Sequence, residues 1–204
     1  MFLIRHAETA APDAFHGAES DVELSAWGHR QAQLLADCIK PMQPKALYCS
    51  AMQRSVATAE PIAAACGLEP RPIASLHERR VGLLSGVSRH AGWSIYEQTK
   101  RRWIAGDLEF SQAEGESFAD VQRRVVPIVN ELAARHQGET FVVVCHGVVI
   151  RVMLISLIPE LTPADFDRIA IDFASINDLR WNGTRWRGVA WNQVVAPSNA
   201  PPVA

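Results

Sequence analysis

Apolar and polar positions follow one another in two rhythms along this chain: short unbroken apolar runs, and longer stretches with a helical repeat. The first run, Phe2-Leu3-Ile4, ends in Arg5-His6 and a polar turn, the pattern of a buried strand that delivers reactive groups to a sheet edge. Residues 10–23, with Pro12 and Phe15-His16-Gly17, are too polar and broken for an element and read as a loop beside that strand end. Ser25 then caps a helix in which Gly28, Ala32, Leu35 and Ile39 share one face, and Pro41 and Pro44 stop it. Ala46-Leu47-Tyr48-Cys49 is a second buried strand, followed by Ser50 and a helix over residues 51–65 with Gly67 as its C-terminal cap. Arg54 falls in the first turn of that helix, where a cation opposes the helix dipole. Its presence there signals an anion nearby.

The second half continues the alternation. A short strand is expected at 72–74, a charged, glycine-punctuated loop at 76–82, and a helix over about 88–105 that mixes Trp93, Tyr96 and Trp103 with Lys100, Arg101 and Arg102. After a loop at 106–115, Ser117 and Asp120 form a capping box and open a helix with Val121, Val125, Ile128, Val129 and Leu132 on one face. Residues 140–145 are the clearest buried strand, β-branched and unbroken; they end in His146-Gly147 and lead into an apolar helix stopped near Pro159. Thr162-Pro163-Ala164-Asp165 starts a further short helix, and Asn182-Gly183 marks a hairpin. Strands alternating with helices predict an α/β, three-layer α/β/α sandwich with a mainly parallel sheet and an antiparallel C-terminal hairpin. No repeat or boundary interrupts it, so a single domain over 1–195 and a disordered tail over 196–204 are expected.

Composition narrows the function. A chain of 204 residues, 48% of them hydrophobic, can fill one core, and a formal net charge of −2 argues against a nucleic-acid binder, which needs a basic face. The N-terminal apolar run ends at Arg5, too short for a signal peptide's apolar region, and no other run approaches a membrane span, so a soluble, cytoplasmic protein with no membrane partner is expected. Cys38, Cys49, Cys66 and Cys145 have no C-x-x-C spacing and read as reduced core thiols.

Three strands end in groups suited to anions: Arg5-His6, then Ser50 with Arg54, then His146-Gly147. In a parallel sheet these ends share one edge, so two arginines, two histidines and helix-start amides converge on one pocket matched to a phosphate dianion. There is no P-loop, no H-E-x-x-H and no carboxylate cluster for magnesium, so neither a metal nor another cofactor is implied. The phosphate would be held by protein cations alone.

Arg5-His6-Ala7-Glu8-Thr9 resembles the R-H-G-E-T signature of the histidine phosphatase superfamily, phosphoglycerate mutase-like branch. The resemblance continues in order through Gly17, Leu24-Ser25, Gly28 with Gln31-Ala32, residues 50–59 with Arg54 and Thr58-Ala59, Leu76-x-Glu78, Gly82, Gly86, Gly115-Glu116-Ser117 and Val144-Cys145-His146-Gly147. It implies a phosphohistidine mechanism. His6 would be the nucleophile, its pKa lowered by Arg5 and Arg54; Arg5, Arg54, His146 and Gly147 would hold the phosphoryl oxygens; Glu78 would be the proton donor. The resemblance also places Arg79 against the part of the substrate beyond its phosphate, with a solvated cation as the other reading of that residue, and His16-Gly17 at a loop contact. Lys100, Arg101 and Arg102 read as a solvated face, His29, His77, His90 and His136 as surface residues, and Trp181, Trp186 and Trp191 as packing.

Two positions depart from the family pattern. Pro12 stands where members often carry an asparagine that helps hold the histidine and the phosphate, and Ala7 replaces a glycine. The implied activity is a metal-independent phosphatase acting on a small phosphorylated metabolite. The alternatives are a cofactor-dependent phosphoglycerate mutase and a non-catalytic phosphate-binding or partner module. Arg80-Val81 after Glu78 and the short segment between Gly86 and Gly115 favour hydrolysis over transfer, because a less enclosed site admits water.

Overall fold

The computed structural model describes residues 1–195; the tail over 196–204 lies outside them. In chain order the elements are β1 (Phe2–Arg5), α1 (Ala26–Ile39), β2 (Ala46–Ser50), α2 (Gln53–Cys66), β3 (Pro70–Ile73), α3 (Arg89–Ile104), α4 (Phe118–Arg135), β4 (Phe141–Cys145), α5 (Gly147–Leu157), β5 (Ser175–Trp181) and β6 (Trp186–Val194). They build a six-stranded sheet of order β3-β2-β4-β1-β5-β6. The pairs β3–β2, β2–β4 and β4–β1 are parallel, whereas β5 and β6 are antiparallel additions, as the sequence pattern predicts.

The unbroken apolar runs become strands buried on both faces, and the two-residue period of a strand divides them between two cores. Val142 and Val144 of β4 join Ile4, Leu47 and Cys49 under α1 and α2. Val143 and Cys145 join Leu3 and Tyr48 under α4 and α5. Each such aliphatic side chain removed from water contributes about 1.5–3 kcal/mol, so the central strands anchor both cores. Ser25 Oγ accepts from the Gly28 N–H at 2.9 Å, and Ser117 and Asp120 bond reciprocally at the start of α4. Caps of this kind are worth about 1 kcal/mol each.

The structure corrects several expectations. The strand expected at 72–74 is Pro70–Ile73, and as the sheet's edge it pairs with β2 alone, which is why it tolerates two prolines. The helix expected at Thr162 is one 3-10 turn, Pro163–Asp165, after which Phe166 enters the core. Cys38 is exposed and Cys66 only partly covered. Cys38 stands about 100° around α1 from Ile39, at the edge of the buried stripe. His136 is half-buried, its Nε2 2.9 Å from the Tyr48 hydroxyl and its Nδ1 2.8 Å from Glu139, and His77 is also partly covered. Trp181 and Trp186 pack together, but Trp191 is 41% exposed.

Candidate active site

The sheet order sets β4 between β1 and β2, so the carboxyl ends of these three parallel strands lie side by side. The His6 N–H donates to the Cys145 carbonyl at 2.9 Å, which continues the β1–β4 ladder one residue past β1 and fixes where the His6 side chain leaves the sheet. Two helices clamp the turn that follows. The Ala7 N–H donates to Thr58 Oγ1 on α2 at 3.0 Å, and the Glu8 N–H donates to Gln31 Oε1 on α1 at 2.9 Å. Gly28 allows α1 to come this close, since a Cβ there would stand 2.0 Å from the Glu8 carbonyl oxygen.

Above the strand ends is a cleft of about 1180 Å³, and Arg5, His6, Arg54, Glu78 and Gly147 reach its surface. His6 is 5% exposed, and its Nδ1 is 2.8 Å from the Ala7 carbonyl. A carbonyl only accepts, so Nδ1 carries the proton and Nε2 keeps the lone pair. Burial first, then the charges of Arg54 and Arg5, hold the His6 pKa well below its ordinary value, so the imidazole is neutral near pH 7.

Arg54 is 1% exposed and almost fully engaged. Its Nε donates to His146 Nδ1 at 3.3 Å, Nη1 to the Ser20 carbonyl at 3.0 Å, and Nη2 to the carbonyls of His16 and Gly17 at 3.4 Å each. Because Nδ1 of His146 accepts, its proton is on Nε2, 3.4 Å from Ser55 Oγ. His146 is fully buried, its ring centroid 5.2 Å from that of His6, and burial followed by Arg54 keeps it neutral too. It lies behind the cleft surface, while the following Gly147 and Val148 reach it.

Glu78 is 9% exposed and held at both oxygens, Oε1 by the Arg79 N–H at 2.8 Å and Oε2 by the Val148 N–H at 3.2 Å. The second bond ties the carboxyl to the N-terminal turn of α5. Arg5 Nη1 donates to the Ile171 carbonyl at 2.7 Å, and its guanidinium lies 3.8 Å from the Phe173 ring centre. Its Nε is buried without a partner.

Other expected residues stand elsewhere. Ser50 is buried, and its hydroxyl accepts from the Met52 N–H at 3.3 Å, closing the turn into α2 rather than facing the cleft. Arg79 is neither solvated nor at the cleft surface. It is fully buried beside Trp103, with Nη1 donating to Gln112 Oε1 at 3.2 Å and to the Glu116 carbonyl at 3.1 Å. His16 does line the cleft, pinned by Ser20 Oγ and the Ala11 carbonyl. Gly17 is a packing position, where a Cβ would stand 2.7 Å from the Arg79 carbonyl oxygen. Lys100 is 8% exposed, not solvated; its Nζ is 2.8 Å from both Glu97 and Asp167. Pro12 reaches the cleft and offers its carbonyl to Arg89 Nε at 3.1 Å.

Sequence reasoning missed Arg89 and Arg151, which also line the cleft. Both had a signal. Arg89 is a cation in the first turn of a helix, as Arg54 is, and Arg151 stands one helical turn beyond Gly147 on the same face of α5. Among the described residues no group of three or more His, Cys, Asp or Glu side chains is placed to hold a metal ion, and no helix is long and apolar enough to cross a membrane.

Comparison with known proteins gives the same picture. Phosphoserine phosphatase 1 of Hydrogenobacter thermophilus is 33% identical over 159 residues, covering 78% of this chain and 75% of that protein. A probable phosphoglycerate mutase of Yersinia enterocolitica is 31% identical over 160 residues, covering 78% and 74%. Among solved structures, a mycobacterial glucosyl-3-phosphoglycerate phosphatase superposes with a TM-score of 0.82 at 26% identity, covering 95% of this chain and 98% of that one. The model of the histidine phosphatase superfamily, branch 1, matches residues 1–194, and with strand ends, histidine pair and arginines in this arrangement the chain belongs to that family.

Proposed function

We propose that this protein hydrolyses a small phosphomonoester through a phosphohistidine on His6. The observation that carries the reading is the bond between His6 Nδ1–H and the Ala7 carbonyl, which leaves a neutral Nε2 lone pair on a side chain lining the cleft, between two guanidinium groups. In the first step Nε2 attacks phosphorus, the N–P bond forms and the P–O bond to the leaving group breaks. Glu78, entering as the carboxylic acid, gives its proton to the departing oxygen. Water then attacks the phosphohistidine, Glu78 takes the water's proton, and the P–N bond breaks to release inorganic phosphate and neutral His6.

Arg5 and Arg54 stabilise the charge on the phosphoryl oxygens; His146 holds Arg54 Nε, with its own Nε2–H turned to Ser55 Oγ. The donor set is cationic and neutral, so it attracts a phosphate directly and needs no bridging cation. Gly147 and the α5 amides complete the cradle. Cytoplasmic location and a phosphorylated metabolite as partner belong to the same reading.

The test is turnover of p-nitrophenyl phosphate in excess chelator. Phosphate release that depends on His6 is expected, and no turnover would reduce the chain to a phosphate-binding module. Interconversion of 2- and 3-phosphoglycerate faster than phosphate release would assign it to transfer instead.

A further inference from the structure

Beyond His6 the cleft has a second cationic region. Arg89, at the start of α3, and Arg151, on α5, reach the cleft from opposite elements. They are built alike. Arg89 Nε donates to the Pro12 carbonyl at 3.1 Å, with its guanidinium 5.4 Å from the Phe15 ring centre. Arg151 Nε donates to the Ile169 carbonyl at 2.8 Å, with its guanidinium 5.7 Å from the Phe166 ring centre. In each case one nitrogen is tied to the backbone and an aromatic ring backs the plane, which fixes the side chain and leaves the outer fork, Nη1 and Nη2, for another acceptor.

Among the described residues no carboxylate stands within ion-pair distance of Arg89 or Arg151. The other cations along the cleft are in the opposite condition: Lys100 is paired with Glu97 and Asp167, Arg101 with Glu97, and Arg102 with Asp107. Acids lining the same cleft are engaged elsewhere, Asp167 by Lys100, Asp172 by the Asn192 amide at 2.7 Å, and Glu78 by the Arg79 and Val148 N–H groups. Asp13 gives Arg89 its backbone carbonyl, 2.6 Å from the Arg89 nitrogen, and leaves the guanidinium unpaired. Burial, then the charges of Arg89 and Arg151, draw the Arg5 pKa down to about 9 against the opposing charges of Glu78 and Asp172.

We infer that Arg89 and Arg151 form a second anion subsite, so that the substrate is a small phosphomonoester carrying a further acid group, a carboxylate or a second phosphate. This rests on the reading that the His6 end of the cleft takes the phosphoryl group. Both acids match an outer guanidinium fork by two parallel hydrogen bonds, and the fixed posture of the side chains reduces the entropy lost on binding. Arg89 and Arg151 then set specificity, holding the non-reacting end so that the phosphoryl group is presented to His6.

Matched pairs of substrates test this. 3-Phosphoglycerate and glycerol 3-phosphate differ in the carboxylate, and fructose 1,6-bisphosphate and fructose 6-phosphate in the second phosphate. In at least one pair the wild-type kcat/KM is expected to be about tenfold or more higher for the doubly acidic member, the scale of one charge-assisted bidentate contact. R89Q and R151Q should lower kcat/KM on that substrate about tenfold more than on p-nitrophenyl phosphate, mostly through KM, with R89K and R151K recovering part of the loss. No preference in either pair, or equal losses on all substrates, would overturn the subsite. Should the wild-type protein hydrolyse none of these compounds, the phosphatase reading fails by itself. Calorimetric binding of 3-phosphoglycerate and of fructose 1,6-bisphosphate then decides the subsite: weaker binding of either to R89Q and R151Q upholds it, and equal binding of both rejects it.

Discussion

At the scale of single residues, the site depends on groups held in one protonation state by their surroundings. His6 and His146 both have pKa values depressed by burial and by Arg54. A depressed histidine binds fewer protons folded than unfolded, so stability is complete above the ordinary value near 6.5 and is lost as pH falls below it. Each of the two should cost up to about 1.4 kcal/mol per pH unit between 6.5 and its folded value. Urea unfolding at pH 7.5 and 5.5 checks this; a midpoint that rises on acidification would contradict it. Glu78→Gln keeps the shape and removes the proton. We expect kcat to fall about 10²- to 10⁴-fold on an alkyl phosphate, and clearly less on p-nitrophenyl phosphate, whose leaving group needs little protonation. Equal losses on the two would remove Glu78 from the role of acid. Arg5, His6, Arg54 and Glu78 were legible in the sequence because strand ends and motif order single them out. The His6 tautomer was not, since it depends on where one backbone carbonyl points, and Arg79 was misplaced because a charged side chain beside a loop gives no sign of total burial.

At the scale of elements, the turn after β1 that carries His6 is held from outside the sheet. Thr58 on α2 accepts from the Ala7 N–H and donates to the Arg54 carbonyl at 2.7 Å, linking the turn that carries His6 to the helix that carries Arg54. Gly28 plays the matching part for α1, with no space for a Cβ against the Glu8 carbonyl. Gly28→Ala must push α1 away from this turn, and a loss of about 1–3 kcal/mol with a lower kcat is expected. A thermal melt and a rate measurement suffice; an unchanged melting temperature would show that α1 is not held as described. Helices α1 and α4 were readable from one apolar stripe each, α2 from its place after β2 and its Gly67 cap, and α5 from an apolar run that ends near Pro159. For α3 the charged stretch misled, because Lys100 buries its stem against Trp93 and Tyr96 and finds two carboxylates there.

At the scale of the whole molecule, a chain with a formal net charge of −2 gathers Arg5, Arg54, Arg89 and Arg151 about one cleft. Such a local field should steer anionic substrates, so kcat/KM is expected to fall as ionic strength rises from about 0.01 M to 0.15 M while kcat changes little. The mainly parallel, doubly covered sheet was legible, since unbroken β-branched runs call for cover on both faces, but the strand order was not. The arrangement of Arg89 and Arg151 was not legible either, because they come from elements far apart in sequence. The central proposal is that phosphate passes through His6. The most direct test is to mix the protein with a labelled phosphomonoester, quench within milliseconds and analyse the trapped chain. An acid-labile, base-stable phosphoenzyme is expected in the wild-type protein, mapped to His6 and absent from His6→Ala, which should also lose at least about 10³-fold in kcat. Phosphate release at the wild-type rate by His6→Ala, or label on another residue, would contradict it.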